Sequence, residues 1–147
     1  MAGFFPYDPA KTDAVEKAQT NRLRVLQQVH FEKGNGGEID LVLLVNGIPV
    51  VTIELKTDNT QSIDDAVAQY RRDRKPKKSS RPLLNPGRCL VHFAVSSSEV
   101  MMTTELKGKD TVFLPFNQGT EEGRAGNPAN PNGYRVASVS YTHLTLP

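Results

Sequence analysis

Three ionisable residues lie near the ends of two apolar runs that follow each other in the chain. Asp40 lies in "IDLVLLV", and Glu54 and Lys56 lie at the end of "IPVVTIELK". Two carboxylates supply the hard oxygen ligands that suit Mg²⁺, which keeps several waters and orients them toward a phosphate. A nearby lysine can position a water or oppose charge that develops on the phosphoryl oxygens. These residue types are those of a metal-dependent phosphodiesterase.

A structural role for the same residues is the alternative. Glu54 and Lys56 are two residues apart, so on a strand they share one face and can form an ion pair. Such an exposed pair is worth about 0 to 1 kcal/mol and requires no chemistry. Asp40 on the neighbouring run makes the functional interpretation stronger than the Glu-x-Lys triplet alone.

The turn between the two runs decides whether the carboxylates can meet. Asn46 and Gly47 predict a β-hairpin. With a two-residue turn, Asp40 would lie opposite Ile53, and Glu54 would point to the other side of the sheet. We therefore predict a three-residue loop, Val45 to Gly47, with Gly47 in the left-handed region as a bulge that shifts the register by one residue. That register puts four residues on one face: Asp40, Thr52, Glu54 and Lys56.

A helix and further strands are predicted around this hairpin. In "SIDDAVAQYRRDRK", apolar residues recur at helical spacing from Ile63 to Tyr70, and Ser62 can cap the start. Because both hairpin runs are apolar on both faces, we expect helices on both sides of a central sheet. Tyr70 lies on the apolar helix face and is predicted to belong to the core rather than to stack on a base.

The remaining segments are simpler to interpret. Asp13 and Glu16 resemble a capping box for a short helix that ends near Thr20, and "RLRVLQQVHF" alternates as a half-buried strand does. "CLVHFAVS", "EVMMTTEL" and "TVFLPF" are typical of strands, whereas residues 117–133 are too rich in Gly, Pro and Asn for regular structure. Cys89 is predicted to be a buried small side chain and His92 a structural histidine.

Composition limits the class of protein. The chain has 147 residues, 37% of them hydrophobic and 23% charged, which is typical of one globular domain. The sequence contains no long apolar run and no secretory signal, and its single cysteine allows no internal disulfide. A cytoplasmic protein is the expectation.

The positive charge is concentrated in one segment. Between Arg71 and Arg88 there are eight Lys or Arg residues and one Asp, a net charge of +7, whereas the whole chain has +2. Such a patch favours contact with nucleic-acid phosphates, and its first four cations are the candidates. The same cations can instead be a solvated helix end that complements the helix dipole. The candidate DNA-binding residues are Arg71, Arg72, Arg74 and Lys75.

Several phrases together resemble a known family. "GEIDLVLLVNGIPVVTIELK", "DDAVAQYRRDR", "LVHFAVSSSEVMMTTEL", "TVFLPFNQG" and "GNPANPNGYR" are similar, in this order, to the N-terminal nuclease region of the restriction subunit of type I restriction enzymes. The resemblance implies an α/β restriction-endonuclease-like core, a central mixed β-sheet flanked by helices. It also implies that Asp40 and Glu54 bind Mg²⁺ and that Lys56 is the catalytic lysine in DNA hydrolysis.

The resemblance also implies partners and a domain plan. In the family the nuclease domain precedes an ATP-driven DNA translocase and works with methyltransferase and sequence-specificity subunits. This chain has no G-x-x-x-x-G-K-[ST] motif, so the ATP site of the motor is expected to be missing. Residues 1–137 are predicted to be a partial nuclease domain, and residues 138–147, "SVSYTHLTLP", resemble a translated adapter and are predicted to be a non-native tail. The competing hypothesis is a catalytically silent DNA-binding or subunit-docking module of the same fold.

Overall fold

A central sheet of six strands organises the chain. The computed structural model describes residues 10–32, 34, 37–56, 62–77 and 79–116, so the predicted irregular segment at 117–133 and the predicted tail at 138–147 lie outside the described residues. The strands lie side by side in chain order. Their bounds are β1 Leu23–His30, β2 Glu38–Val45, β3 Ile48–Leu55, β4 Val91–Val95, β5 Val100–Thr103 and β6 Leu114–Pro115.

The sheet is mixed because one connection is a helical crossover. β3 and β4 are parallel, and the other neighbouring strands are antiparallel. Parallel neighbours need a long connection, and here it contains α2, Ile63–Asp73. The backbone N–H of Ser62 donates to the Asp65 carboxylate at 2.8 Å, so the predicted helix start is confirmed.

Helix α2 buries the apolar face that its periodicity predicts. Ala66, Val67 and Tyr70 are buried, and they share one hydrophobic core with residues from the sheet and the following loops. Among the described residues, no helix packs extensively on the opposite face of the sheet. The expected helical cover on both faces is therefore observed on one face only.

The hairpin between β2 and β3 has the predicted offset at a different place. Asn46 and Gly47 form a two-residue turn with φ of 53° and 83°, so the predicted three-residue loop is wrong. The register shifts inside β3, where Leu44 pairs with Pro49 and Leu43 pairs with Val51, and Val50 is the extra residue. Proline has no N–H to donate to the ladder, which explains why the bulge lies beside Pro49.

The N-terminal elements differ from their predictions. α1, Thr12–Gln19, has Lys11 at its N-cap position, so Asp13 forms no capping box, and the helix buries no residue. The predicted strand β1 is confirmed, but it is an edge strand whose Leu23 and Val25 are 75% and 59% exposed, so its predicted half-burial is wrong. The reason is that β2 is the only described element that packs extensively on β1. None of the described helices is long and apolar enough to cross a membrane.

Candidate active site

The strand register brings the two candidate carboxylates together. Beyond the bulge, Leu41 lies opposite Ile53, and continuing this register by one residue places Asp40 opposite Glu54. Asp40 Oδ2 accepts a hydrogen bond from the backbone N–H of Leu55 at 2.7 Å. This bond fixes the orientation of the Asp40 carboxylate next to Glu54, which lies on the sheet face that α2 covers.

Glu54 is an ionisable group in a dry environment. Its side chain is 0% exposed, and its Oε1 accepts a hydrogen bond from Arg74 Nε at 2.6 Å. Its other oxygen, Oε2, is buried without a hydrogen-bond partner. Loss of hydration raises the pKa of Glu54 to about 7, the Arg74 guanidinium opposes this rise, and the neighbouring Asp40 carboxylate adds to it.

Two carboxylates in contact need a positive species between them. If both are ionised, the Asp40 and Glu54 carboxylates repel, and burial leaves little water to screen that repulsion. A shared proton or a bound cation would remove the repulsion and satisfy Glu54 Oε2. The residues present therefore fit a divalent cation held by hard oxygen ligands.

The described residues supply only a small part of a complete coordination shell. Within the described part of the chain, no group of three or more His, Cys, Asp or Glu side chains is arranged to hold a metal ion. The two carboxylates can provide two ligands. That number suits Mg²⁺, which usually keeps several waters and binds through one or two carboxylates plus substrate phosphates.

Lys56 lies immediately beyond the end of β3. Its backbone N–H donates to the carbonyl of Val95 at 2.8 Å, so the parallel ladder with β4 continues to this residue. Strand alternation then places Lys56 on the same side of the sheet as Glu54. Lys56 is half-buried, and among the ion pairs of the described residues its ammonium group is paired with neither Asp40 nor Glu54. Lys56 thus lies on the same side of the sheet as Glu54 and forms no ion pair with Asp40 or Glu54 among the described residues.

Arg74 has a role that the sequence did not reveal. It is 5% exposed, and besides Glu54 it contacts the carbonyl of Glu38 at 2.6 Å and the ring of Phe31 at 4.8 Å. These contacts give Arg74 a structural role beside Glu54, and its DNA-binding role stays a prediction. When four cations follow one another at a helix end, the sequence does not indicate which side chain points into the protein.

The other three cations of that set are exposed. Arg71 Nε donates to the carbonyl of Thr111 at 3.0 Å, and Arg72 pairs with its neighbour Asp73 at 2.9 Å. Together with Lys75 they line an open surface cleft along α2, which Asp64 of the first turn also lines. Lys109, which the sequence interpretation did not select, lines the same cleft, because the 3₁₀ turn at Gly108–Asp110 packs against α2.

A polar network behind the carboxylates is structural. Thr52 Oγ1 lies 2.8 Å from the Tyr70 hydroxyl and 2.7 Å from His92 Nδ1. Tyr70 is 0% exposed, and burial lowers the pKa of His92 to about 4, so this histidine is neutral near pH 7. The predicted core positions of Tyr70, His92 and Cys89 are confirmed, since all three are buried.

Residues 11–111 match the family described as Type I restriction enzyme R protein N terminus (HSDR_N). The chain belongs to this family. Neither a curated protein nor a solved structure matches the chain significantly. The family and the six-stranded mixed sheet with its helices are consistent with the expected α/β restriction-endonuclease-like fold. The chain is a restriction-related, nuclease-like module from the N terminus of a type I R protein.

Proposed function

We propose that this R protein N terminus is a Mg²⁺-dependent endonuclease domain that hydrolyses DNA phosphodiester bonds in the restriction of foreign DNA. The observation that carries the proposal is the register that places Asp40 opposite Glu54 at one end of the sheet, with the buried Oε2 of Glu54 unpartnered. A purely structural pair would gain by satisfying that oxygen, because an unpaired buried charge is costly.

Asp40 and Glu54 would hold the ion. When bound, Mg²⁺ supplies a polarised water and neutralises charge on the phosphoryl oxygens. The backbone N–H of Leu55 keeps the Asp40 carboxylate in place through its 2.7 Å bond. Lys56, on the same side of the sheet, would position a water or oppose charge that develops on the phosphate.

DNA is the proposed substrate, and the surface cations of α2 are its proposed contacts. Arg71, Arg72 and Lys75 line one cleft and would attract the phosphate backbone without reading sequence. The proposed setting is the cytoplasm, in a complex with methyltransferase and specificity subunits. ATP would be used by the motor region of a full-length R protein.

Substitution of each candidate residue tests the chemistry. In a complete R protein that carries this domain and is assembled with its partner subunits, Asp40→Ala, Glu54→Gln and Lys56→Ala should each abolish cleavage of supercoiled DNA. DNA binding should be largely retained, because none of these residues lines the surface cleft along α2. Glu54→Gln is preferred to Glu54→Ala, because alanine would leave the buried Arg74 without a hydrogen-bond acceptor at this position. Wild-type cutting by any one variant would remove that residue from the reaction.

A catalytically silent DNA-binding or docking module is the second candidate. The ion pair between Arg74 and Glu54 favours it, because a carboxylate that neutralises a buried arginine already has a structural use. Titration of Mg²⁺ into the 147-residue chain separates the two candidates. Heat of binding that disappears in Asp40→Ala supports the nuclease, while an identical titration of the parent and this variant supports the silent module. Glu105→Gln, at an exposed carboxylate that pairs with Lys107, is the matched control.

A further inference from the structure

We propose that Arg74 selects the metal ion, because it occupies one oxygen of Glu54 and leaves only Oε2 for coordination. This inference rests on the proposed function, since it concerns the same pair of carboxylates. It assigns Arg74 a positioning role: the guanidinium acts through Glu54 and touches neither the DNA nor the reacting phosphate.

The Arg74 guanidinium is held from several sides. One nitrogen donates to Glu54 Oε1 at 2.6 Å and another to the carbonyl of Glu38 at 2.6 Å, while the ring of Phe31 lies 4.8 Å away. The backbone at Gly37 also passes close by, since a Cβ added there would lie 3.0 Å from a guanidinium nitrogen. These contacts tie the end of α2 to the start of β2 and fix the position from which Arg74 reaches Glu54.

Both carboxylates consequently have one oxygen engaged by the protein. Glu54 Oε1 accepts from Arg74, and Asp40 Oδ2 accepts from the Leu55 N–H. A cation that bound Glu54 through both oxygens would have to displace a buried ion pair of 2.6 Å. Breaking such a pair leaves an uncompensated buried charge, which is strongly destabilising. Glu54 should therefore bind a metal through one oxygen only.

One-oxygen coordination discriminates between divalent ions. Mg²⁺ demands near-octahedral geometry and keeps its waters, so single carboxylate oxygens suit it. Ca²⁺ takes six to eight oxygens and commonly uses both oxygens of a carboxylate. Arg74 should thus lower the affinity for Ca²⁺ more than the affinity for Mg²⁺. Removing the guanidinium should raise the affinity for both ions through charge, but it should raise the affinity for Ca²⁺ further.

The test is calorimetric titration of Mg²⁺ and of Ca²⁺ into the parent chain, Arg74→Met and Arg74→Lys. The ratio of Ca²⁺ to Mg²⁺ affinity should rise about tenfold in Arg74→Met, a shift of about 1.4 kcal/mol. In Arg74→Lys, whose ammonium can still donate to Glu54 Oε1, the ratio should stay closer to that of the parent. Arg88→Met removes one exposed cation elsewhere and should leave the ratio unchanged.

The outcomes separate this inference from the proposed function. If Arg74 is only structural, its replacement should lower the affinities for Mg²⁺ and Ca²⁺ by the same factor. The ratio of Ca²⁺ to Mg²⁺ affinity would then equal that of the parent, and this result would overturn the selectivity role. If Arg74→Met does not fold, the neutral but polar Arg74→Gln takes its place, and a parental ratio in that variant would overturn the inference. A parent chain that binds neither ion would overturn the proposed function and, with it, this inference.

Discussion

Asp40→Asn should stabilise the metal-free protein although it destroys the proposed metal site. The variant would keep the acceptor for the Leu55 N–H, because the new amide oxygen can take the place of Oδ2, which now accepts that bond at 2.7 Å. The new NH₂ group would face Glu54, whose Oε2 has no partner in the parent. The substitution therefore replaces a carboxylate repulsion with a hydrogen bond to a charged acceptor.

The size of the effect depends on the charge state of Glu54. Loss of hydration, aided by Asp40, raises the pKa of Glu54 to about 7, so the folded protein holds a proton there that the unfolded chain releases near pH 4.5. The parent consequently loses stability as pH rises from 4.5 to 7. A hydrogen bond to a charged group contributes about 1.5 to 3 kcal/mol. Allowing for the loss of hydration that remains, we expect Asp40→Asn to add about 1 to 2 kcal/mol at about pH 8.5.

Urea unfolding followed by circular dichroism, with a chelator present, measures this gain. The gain should vanish at about pH 5, where Glu54 is protonated in the parent and can itself donate to Asp40. Without the chelator, Mg²⁺ should stabilise the parent at the higher pH and leave Asp40→Asn unchanged, because only a state that binds the ion is stabilised by it. Asp110→Asn, at an exposed carboxylate, is the control and should shift stability by less than about 0.5 kcal/mol. A variant less stable than the parent at the higher pH would refute the inferred repulsion between the two carboxylates.

Three further predictions concern the surroundings of the site. Replacing Arg71, Arg72 and Lys75 together with Gln should weaken DNA binding equally on all sequences and reduce its dependence on salt. If the slope of log affinity against log salt concentration stays unchanged, these residues are a solvated helix end. Gly47→Val should cost about 1 kcal/mol or more through left-handed strain and yet leave the Mg²⁺ affinity of the folded variant unchanged, because the register shifts further along β3; calorimetry checks both. Burial lowers the pKa of His92 from 6.5 to about 4, so the free energy of unfolding should decrease as pH falls through this range. Urea unfolding of His92→Asn at several pH values should lack this part of the decrease.

The sequence predicted the elements whose patterns are local. The spacing of apolar residues located α2, and Ser62 with its partner Asp65 forms the predicted start. The edge strand β1 has the same alternation as a half-buried strand, but its exposure depends on which elements pack over it, and no local pattern reports that. Periodicity therefore predicted the type of β1 correctly and its environment wrongly.

The sequence predicted a one-residue offset in the hairpin register, but it placed the offset at the turn instead of inside β3. A requirement that Asp40 and Glu54 share a face implies one extra residue between them, and the structure has that residue at Val50. Pro49 was the available signal, since a proline inside a strand pattern points to an edge or a bulge. The proline therefore favours an offset inside β3 rather than at the turn.

The inward turn of Arg74 could be found only from the tertiary structure, because it depends on where Glu54 is buried. A glutamate on the covered face of a central sheet would be expensive without a cation, and Arg74 supplies a guanidinium to one of its oxygens only. Had stability alone shaped this site, a second donor or an apolar residue in place of Glu54 would serve better. A carboxylate that is half satisfied, beside a second carboxylate, instead supports the proposed cation site, because natural sequences depart from optimal stability at functional sites.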